Sequence, residues 1–187
     1  GMSLRILFEQ LRDIRSDVRI PLILMGYLNP IMKFGFEAFC QKCVECGIDG
    51  VIIPDLPFKD YEETYKPIAD RYDIRVIMLI TPETSEARVR EIDEHTDGFI
   101  YMVSSAATTG AQKDFDSQKQ AYFKKIQDMH LRNPRMVGFG ISNKQSFDAA
   151  CSNSSGAIIG SRFVTLLNEA EGDAEKAITQ LKEGLKK

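Results

Sequence analysis

The feature that most constrains this chain is an alternation: six short apolar runs, each separated from the next by a segment of helical periodicity. The runs are Ile20-Pro21-Leu22-Ile23-Leu24-Met25, Gly50-Val51-Ile52-Ile53-Pro54, Arg75 to Ile80, Gly98 to Val103, Met136-Val137-Gly138-Phe139 and Ala157-Ile158-Ile159. Their continuous apolar character marks strands buried on both faces of a parallel sheet. Helices are expected near 3–15, where Leu4, Leu7, Phe8, Leu11 and Ile14 share a face, and near 36–46, 60–71, 85–94, 117–130, 143–151, 161–169 and 173–186. Strands and amphipathic helices in this order are βα units with right-handed crossovers.

Two architectures fit such units. A doubly wound open sheet carries its ligand at a switch point, usually on the first strand–turn–helix. A (β/α) barrel carries a phosphate site after its last two strands. Here the glycine-rich turns come late, as Gly138-Phe139-Gly140-Ile141-Ser142 and Gly156-Ala157-Ile158-Ile159-Gly160-Ser161. Their position predicts an α/β fold of the (β/α)8 TIM-barrel type, one domain over residues 1–187. A full barrel takes about 250 residues. Two βα units are therefore expected to be absent on the N-terminal side, leaving about six parallel strands and a gap beside the 20–25 strand.

Composition narrows the function. With 43% hydrophobic and 27% charged residues, the chain has an ordinary globular make-up. A net charge of -3 gives no basic footprint for nucleic acid. No run approaches the roughly 18 apolar residues of a membrane span, and Gly1-Met2-Ser3 does not read as a signal peptide. A cytoplasmic protein is expected. Cys40, Cys43 and Cys46 form a C-x2-C-x2-C run, a spacing also used by iron–sulfur proteins. They fall, however, in a helical pattern with Phe36, Phe39 and Val44. Three-residue spacing drifts round a helix, Cys151 is distant and no histidine is near, so partly buried free thiols are expected and no metal site.

The late glycines have a mechanism. Glycine lets backbone approach a ligand, and a helix N-terminus offers free N–H groups to an anion. Ser161 opens a helix and can cap it or donate its hydroxyl to a phosphate oxygen, and Thr109-Gly110 supplies another N–H-rich turn.

The segments IPLILMGYLNP (20–30), GIDGVIIPDLP (47–57), YMVSSAATTG (101–110), GFGIS (138–142) and GAIIGS (156–161) closely resemble the tryptophan synthase alpha subunit, in order along essentially the whole chain. The resemblance implies a (β/α)8 barrel, a cofactor-free retro-aldol lyase that cleaves indole-3-glycerol phosphate to indole and glyceraldehyde 3-phosphate, and a beta subunit as partner. It implies a phosphate cradle of Gly110, Gly140, Gly160 and Ser161. It implies an indole pocket of Met25, Ile52, Leu79, Tyr101 and Phe139, at or near the strand ends where barrels carry function. The sequence departs from the family at Ala107-Thr108-Thr109-Gly110, where Gly-Val-Thr-Gly is common. A larger departure concerns chemistry. The family's catalytic glutamate and aspartate lie in a motif like E-x-G-x-P-F-S-D-P, which this sequence does not contain.

Asp55, at the end of the second strand, is a weak substitute, because Asp-Leu-Pro is also a good turn with Asp bonding the local backbone. Glu83 is weaker, and His95 and His130 fall on or beside helices away from the strand ends. The leading expectation is an alpha-subunit-like lyase that is inactive as these 187 residues. The alternatives are another phosphate-binding barrel enzyme, such as a sugar-phosphate isomerase or epimerase, and a non-catalytic partner of a beta subunit. Beta-subunit contacts would fall on Tyr27-Leu28-Asn29-Pro30 and Asp55-Leu56-Pro57.

Overall fold

Local rules start the elements. In the computed structural model, which describes residues 1–104, 112–138 and 140–186 (backbone alone for 112–117), Ser3 is extended and its hydroxyl accepts from the Ile6 N–H to open α1 (Leu4–Leu11). Two compact units form, one from Gly1–Met78 with Glu91–Phe99 and one from Leu79–Arg90 with Ile100–Lys187. All strand pairing among the described residues is parallel.

In the first unit α1 is followed by β1 (Ile23–Met25), α2 (Leu28–Phe34), α3 (Phe36–Glu45), β2 (Gly50–Ile52), α4 (Phe58–Asp60), α5 (Lys66–Arg71) and β3 (Arg75–Ile77). The strands pair in the order β1-β2-β3. Phe8, Phe39, Cys40, Cys43, Val51 and Val76 are buried, and Phe8 meets Phe39 edge-on at 5.6 Å between ring centres. The entry to β1 is pinned by Arg15. Its guanidinium donates to Gly47 O at 2.7 Å and to Ile20 O at 2.7 Å, and pairs with Asp49. Asp49 in turn accepts from the Leu22 N–H at 2.7 Å. That backbone bond lowers the Asp49 carboxyl below its ordinary pKa, with Arg15 helping and desolvation opposing.

The second unit holds β4 (Leu79–Ile80), the start of α6 (Glu86–His95), whose residues from Glu91 count with the first unit, and β5 (Ile100–Val103). Then come α7 (Gln112–Asp128), β6 (Arg135–Gly138), α8 (Lys144–Cys151), β7 (Gly156–Ala157), α9 (Ser161–Glu169) and α10 (Ala174–Gly184). The order is β4-β5-β6-β7, and Ile80, Ile100, Met102 and Val137 are fully buried between the flanking layers. Leu166, Ala170 and Ala177 close a core between α9 and α10, with Phe163, Leu167 and Leu181 packed against it.

Several expectations need correction. The apolar run at 75–80 is two strands, because the ladder breaks at Met78. The 20–25 run pairs only at Ile23–Met25 and is not buried: Ile20 is 70% exposed and Met25 53%. Among the described residues β1 has one pairing neighbour, and Pro21 has no N–H to extend the ladder. Asn29-Pro30 lies inside α2 rather than in a turn, since Pro30 sits in the first turn where its missing N–H costs no helical bond. Between α4 and α5 the helix widens to a π turn over Tyr61–Tyr65. Pro67 lies just beyond it, and a proline in mid-helix removes one bond and crowds the carbonyl four residues back. α1 ends at Leu11 and α7 begins at Gln112, earlier than expected. On α3, Val44 is exposed, whereas Cys40, Cys43 and Cys46 are buried outright rather than in part.

Candidate functional site

In the second unit, parallel pairing brings the C-terminal ends of β5, β6 and β7 to one edge. Val103 is in register with Gly138, and Val137 with Ala157. The ladder runs on through Ser104 N–H to Gly138 O at 3.1 Å and Ile158 N–H to Val137 O at 2.7 Å. The turns after β6 and β7 are therefore neighbours.

The glycines at these turns have different causes. At Gly138 an added Cβ would lie 2.0 Å from Tyr101 Oη and 2.2 Å from Cζ, so the Tyr101 ring occupies the space a side chain would take. Tyr101 is in register with Met136, two residues earlier than Gly138, so the ring leans toward the strand ends. Burial raises the pKa of its phenol, which stays protonated and able to donate. Gly140 has φ +74°, a left-handed conformation that side chains rarely adopt. Gly160 needs glycine for neither reason. Its φ is -105°, and among the described residues nothing lies within 4 Å of a Cβ added there.

The two helices at this edge also differ. α8 closes its own N-terminus: the Asn143 side chain accepts from the Ser146 N–H at 2.9 Å, and Ser146 Oγ accepts from the N–H of Asn143 and of Ser142. α9 begins at Gly160 without a side-chain cap and without an acidic residue in its first turn. Ser161 is exposed at its first position, and its carbonyl accepts from Thr165 Oγ1 at 3.0 Å. The first N–H groups of a helix have no partner within it, and the helix dipole adds positive potential there. An anion of phosphate size suits such an end.

Of the expected indole-pocket residues, Leu79 and Tyr101 are register partners in the second unit, and Met25 and Ile52 in the first. Ile52 and Tyr101 are buried, Leu79 is half-buried and Met25 is exposed. Gly110 and Phe139 lie outside the described residues. Ser104 was not singled out from sequence. It is a buried polar residue at the end of β5, with its Oγ 3.8 Å from the space beside Gly140. A serine closing an apolar run was the available signal.

Asp55 makes a longer-range bond than its turn predicts. Its Oδ1 accepts from the Leu28 N–H at 2.8 Å, 27 residues earlier, and so caps α2 from outside. This joins the start of α2 to the 55–57 turn. Glu83 raises the pKa of the buried Tyr122 phenol, after burial itself. His95 pairs with Glu62 and stacks on Phe58, and His130 has φ +50° just after α7.

Over residues 1–187 the chain matches the family model described as tryptophan synthase alpha chain. It is 80% identical over 182 residues to the tryptophan synthase alpha chain of Bacteroides fragilis, a match covering 97% of this chain and 69% of that protein. Among solved structures, it resembles the alpha subunit of the hyperthermophile Pyrococcus furiosus with 28% identity and a TM-score of 0.85, over 99% of this chain and 74% of that one. A chain in the tryptophan synthase complex of the same organism matches with 27% identity and a TM-score of 0.83, at the same coverage. The parallel α/β fold is that of these barrel structures.

Proposed function

The chain belongs to the tryptophan synthase alpha chain family, carbon–carbon lyases of tryptophan biosynthesis, and from that premise we propose that the edge formed by β5, β6 and β7 holds indole-3-glycerol phosphate by its phosphate. The observation that carries this reading is the open N-terminus of α9, beside an α8 that satisfies its own. Gly160 lets the phosphate approach, the first N–H groups of α9 and the Ser161 hydroxyl donate to it, and Gly140 turns the neighbouring backbone in its left-handed conformation. Gly110 completes the cradle by resemblance. The indole ring packs on Leu79, Tyr101 and Phe139 in the second unit; Met25 and Ile52, register partners in the first unit, are indole-pocket positions by resemblance alone.

Cleavage breaks the bond between the indole ring carbon and the glycerol chain. A proton must reach the ring carbon, positive charge at the indole nitrogen must be stabilised, and a base must take the glycerol hydroxyl proton. Such acid–base groups contribute about 10²–10⁴-fold each. The motif that carries the family's two carboxylates is not among these 187 residues. Asp55 gives one oxygen to the Leu28 N–H. These residues alone are therefore proposed to bind substrate without turning it over. A beta subunit is the proposed partner, received on the start of α2 at 27–30 and the 55–57 turn, which Asp55 links.

Gly160→Asp tests the phosphate site. A carboxylate there caps α9 and repels phosphate, so helix stability should hold or rise by a few tenths of a kcal/mol while affinity for indole-3-glycerol phosphate, measured by equilibrium dialysis, falls at least tenfold. Unchanged affinity in the variant, or indole release by the unaltered chain, would overturn the reading.

A further inference from the structure

We infer that the first unit carries a small-molecule site of its own, a cavity at the N-terminal end of β3 that takes a small organic cation by a primary ammonium group. The cavity measures about 240 Å³, and every residue lining it belongs to that unit. Its floor is Tyr61, Ile74 and Val76, which are 3%, 4% and 2% exposed. Charged side chains from α5, from the start of β3 and from the residues after α6 form its rim.

Tyr61 is the residue that calls for a ligand. A buried phenol usually finds a hydrogen-bond partner, yet the Tyr61 hydroxyl makes no hydrogen bond among the described residues. Burial, then Asp70, Asp97 and Glu62, raise its pKa, so it stays protonated with its oxygen able to accept. Asp70 and Asp97 also line the cavity, which places the hydroxyl on its wall. The charges acting on that oxygen are all carboxylates.

The class of ligand follows from these acceptors. The cations of the rim are each drawn to a carboxylate: Lys66 to Asp70 at 2.7 Å, Arg75 to Asp73 at 3.1 Å, and His95 to Glu62. An anion entering the cavity would meet Asp70, Asp73 and Asp97, whereas a cation is attracted to them. Among the described residues no set of His, Cys, Asp and Glu side chains is arranged to hold a metal ion, which favours an organic cation. A primary ammonium has three N–H donors, matching Tyr61 Oη, Asp70 and Asp97. A carboxylate accepts several hydrogen bonds at once, so the pairs these residues already make leave room for the ligand. Its alkyl part then rests on Ile74 and Val76.

The test uses the full 187-residue chain, with n-butylammonium as probe and 1-butanol as its uncharged counterpart, followed by ligand-observed NMR at low salt. Butylammonium should saturate a single site, bind more tightly than butanol by about tenfold or more, and weaken as salt is added. Tyr61→Phe keeps the ring and removes the acceptor, and Asp97→Asn removes a charge at an exposed position, where the fold does not depend on it. Each should weaken butylammonium about tenfold, the weight of one hydrogen bond to a charged group. Asp128→Asn, an exposed carboxylate on α7, should leave the affinity as it is. Butanol binding as well as butylammonium, binding that does not saturate, unchanged affinity in either cavity variant, or an equal loss in Asp128→Asn would each overturn the inference.

Discussion

Substituting alanine at Gly138 tests how the site edge is built. The added Cβ would lie 2.0 Å from Tyr101 Oη, 2.2 Å from Cζ and 2.6 Å from Cε1. Carbon atoms rest at about 3.5–4.0 Å, so the ring must retreat by about 1.5 Å. Tyr101 is 4% exposed, so its ring moves only by displacing the side chains packed around it. Overpacking typically costs about 1–3 kcal/mol, and a clash with a ring carbon as well as the hydroxyl puts Gly138→Ala near about 3 kcal/mol. For a chain of this size each kcal/mol moves Tm by roughly 2–4 °C, so thermal unfolding followed by circular dichroism should fall by about 6–12 °C. Tyr101→Phe should not rescue it, because Cζ remains. Tyr101→Ala should remove the conflict. The double variant should then be no less stable than Tyr101→Ala alone, a coupling of about 3 kcal/mol in a double-mutant cycle. Affinity for indole-3-glycerol phosphate should fall in Gly138→Ala, since the phenol is displaced from the strand ends. A Tm within about 2 °C of the unaltered chain, or full rescue by Tyr101→Phe, would refute the packing described.

Three other outcomes are expected. Asp55→Ala removes the external cap of α2 and should cost about 0.5–1 kcal/mol, at the lower end for a cap because the site is exposed; affinity for indole-3-glycerol phosphate should not change, and a collapse of binding would place Asp55 in the substrate site instead. Asp49 has a lowered carboxyl pKa, so the stability it contributes is present above the unfolded value of about 3.9 and is lost as pH falls through the folded one. Denaturant titrations of Asp49→Asn should therefore differ from the unaltered chain at pH 7 and converge with it in acid; a constant difference would show that the charge is not what matters. Burial, and then Glu37, raises Cys40 to about 11, and burial followed by Cys40 and Cys46 raises Cys43 further. A thiol reagent at pH 8 should consequently modify half-buried Cys151 first and reach the α3 thiols only on unfolding, whereas rapid native-state modification of all four would contradict the burial of α3.

How much of this was legible from sequence depends on how local each cause is. The apolar runs located the strands, although the run at 75–80 divides into two, because continuous hydrophobicity is a local property and a break in the ladder is not. The start of α8 could likewise be read at Asn143, which holds its own helix N-terminus three residues on. By contrast α2 was not legible, since its cap comes from Asp55, 27 residues away, and Asn29-Pro30 on its own looks like a turn. The edge position of β1 could be read from the count of strands, whereas its exposure could not: Ile23-Leu24-Met25 has the composition of a buried central strand.

The same distinction runs through the site. All three turn glycines were visible as letters, and sequence treated Gly140 and Gly160 alike as ligand-approach positions. The structure separates their causes. Gly140 is held by its backbone angle, Gly138 by a tyrosine ring 37 residues earlier, and Gly160 by neither. A glycine that the fold does not require is the one whose identity calls for something outside the protein. That makes Gly160, at the uncapped end of α9, the position where substitution should separate binding from stability most cleanly.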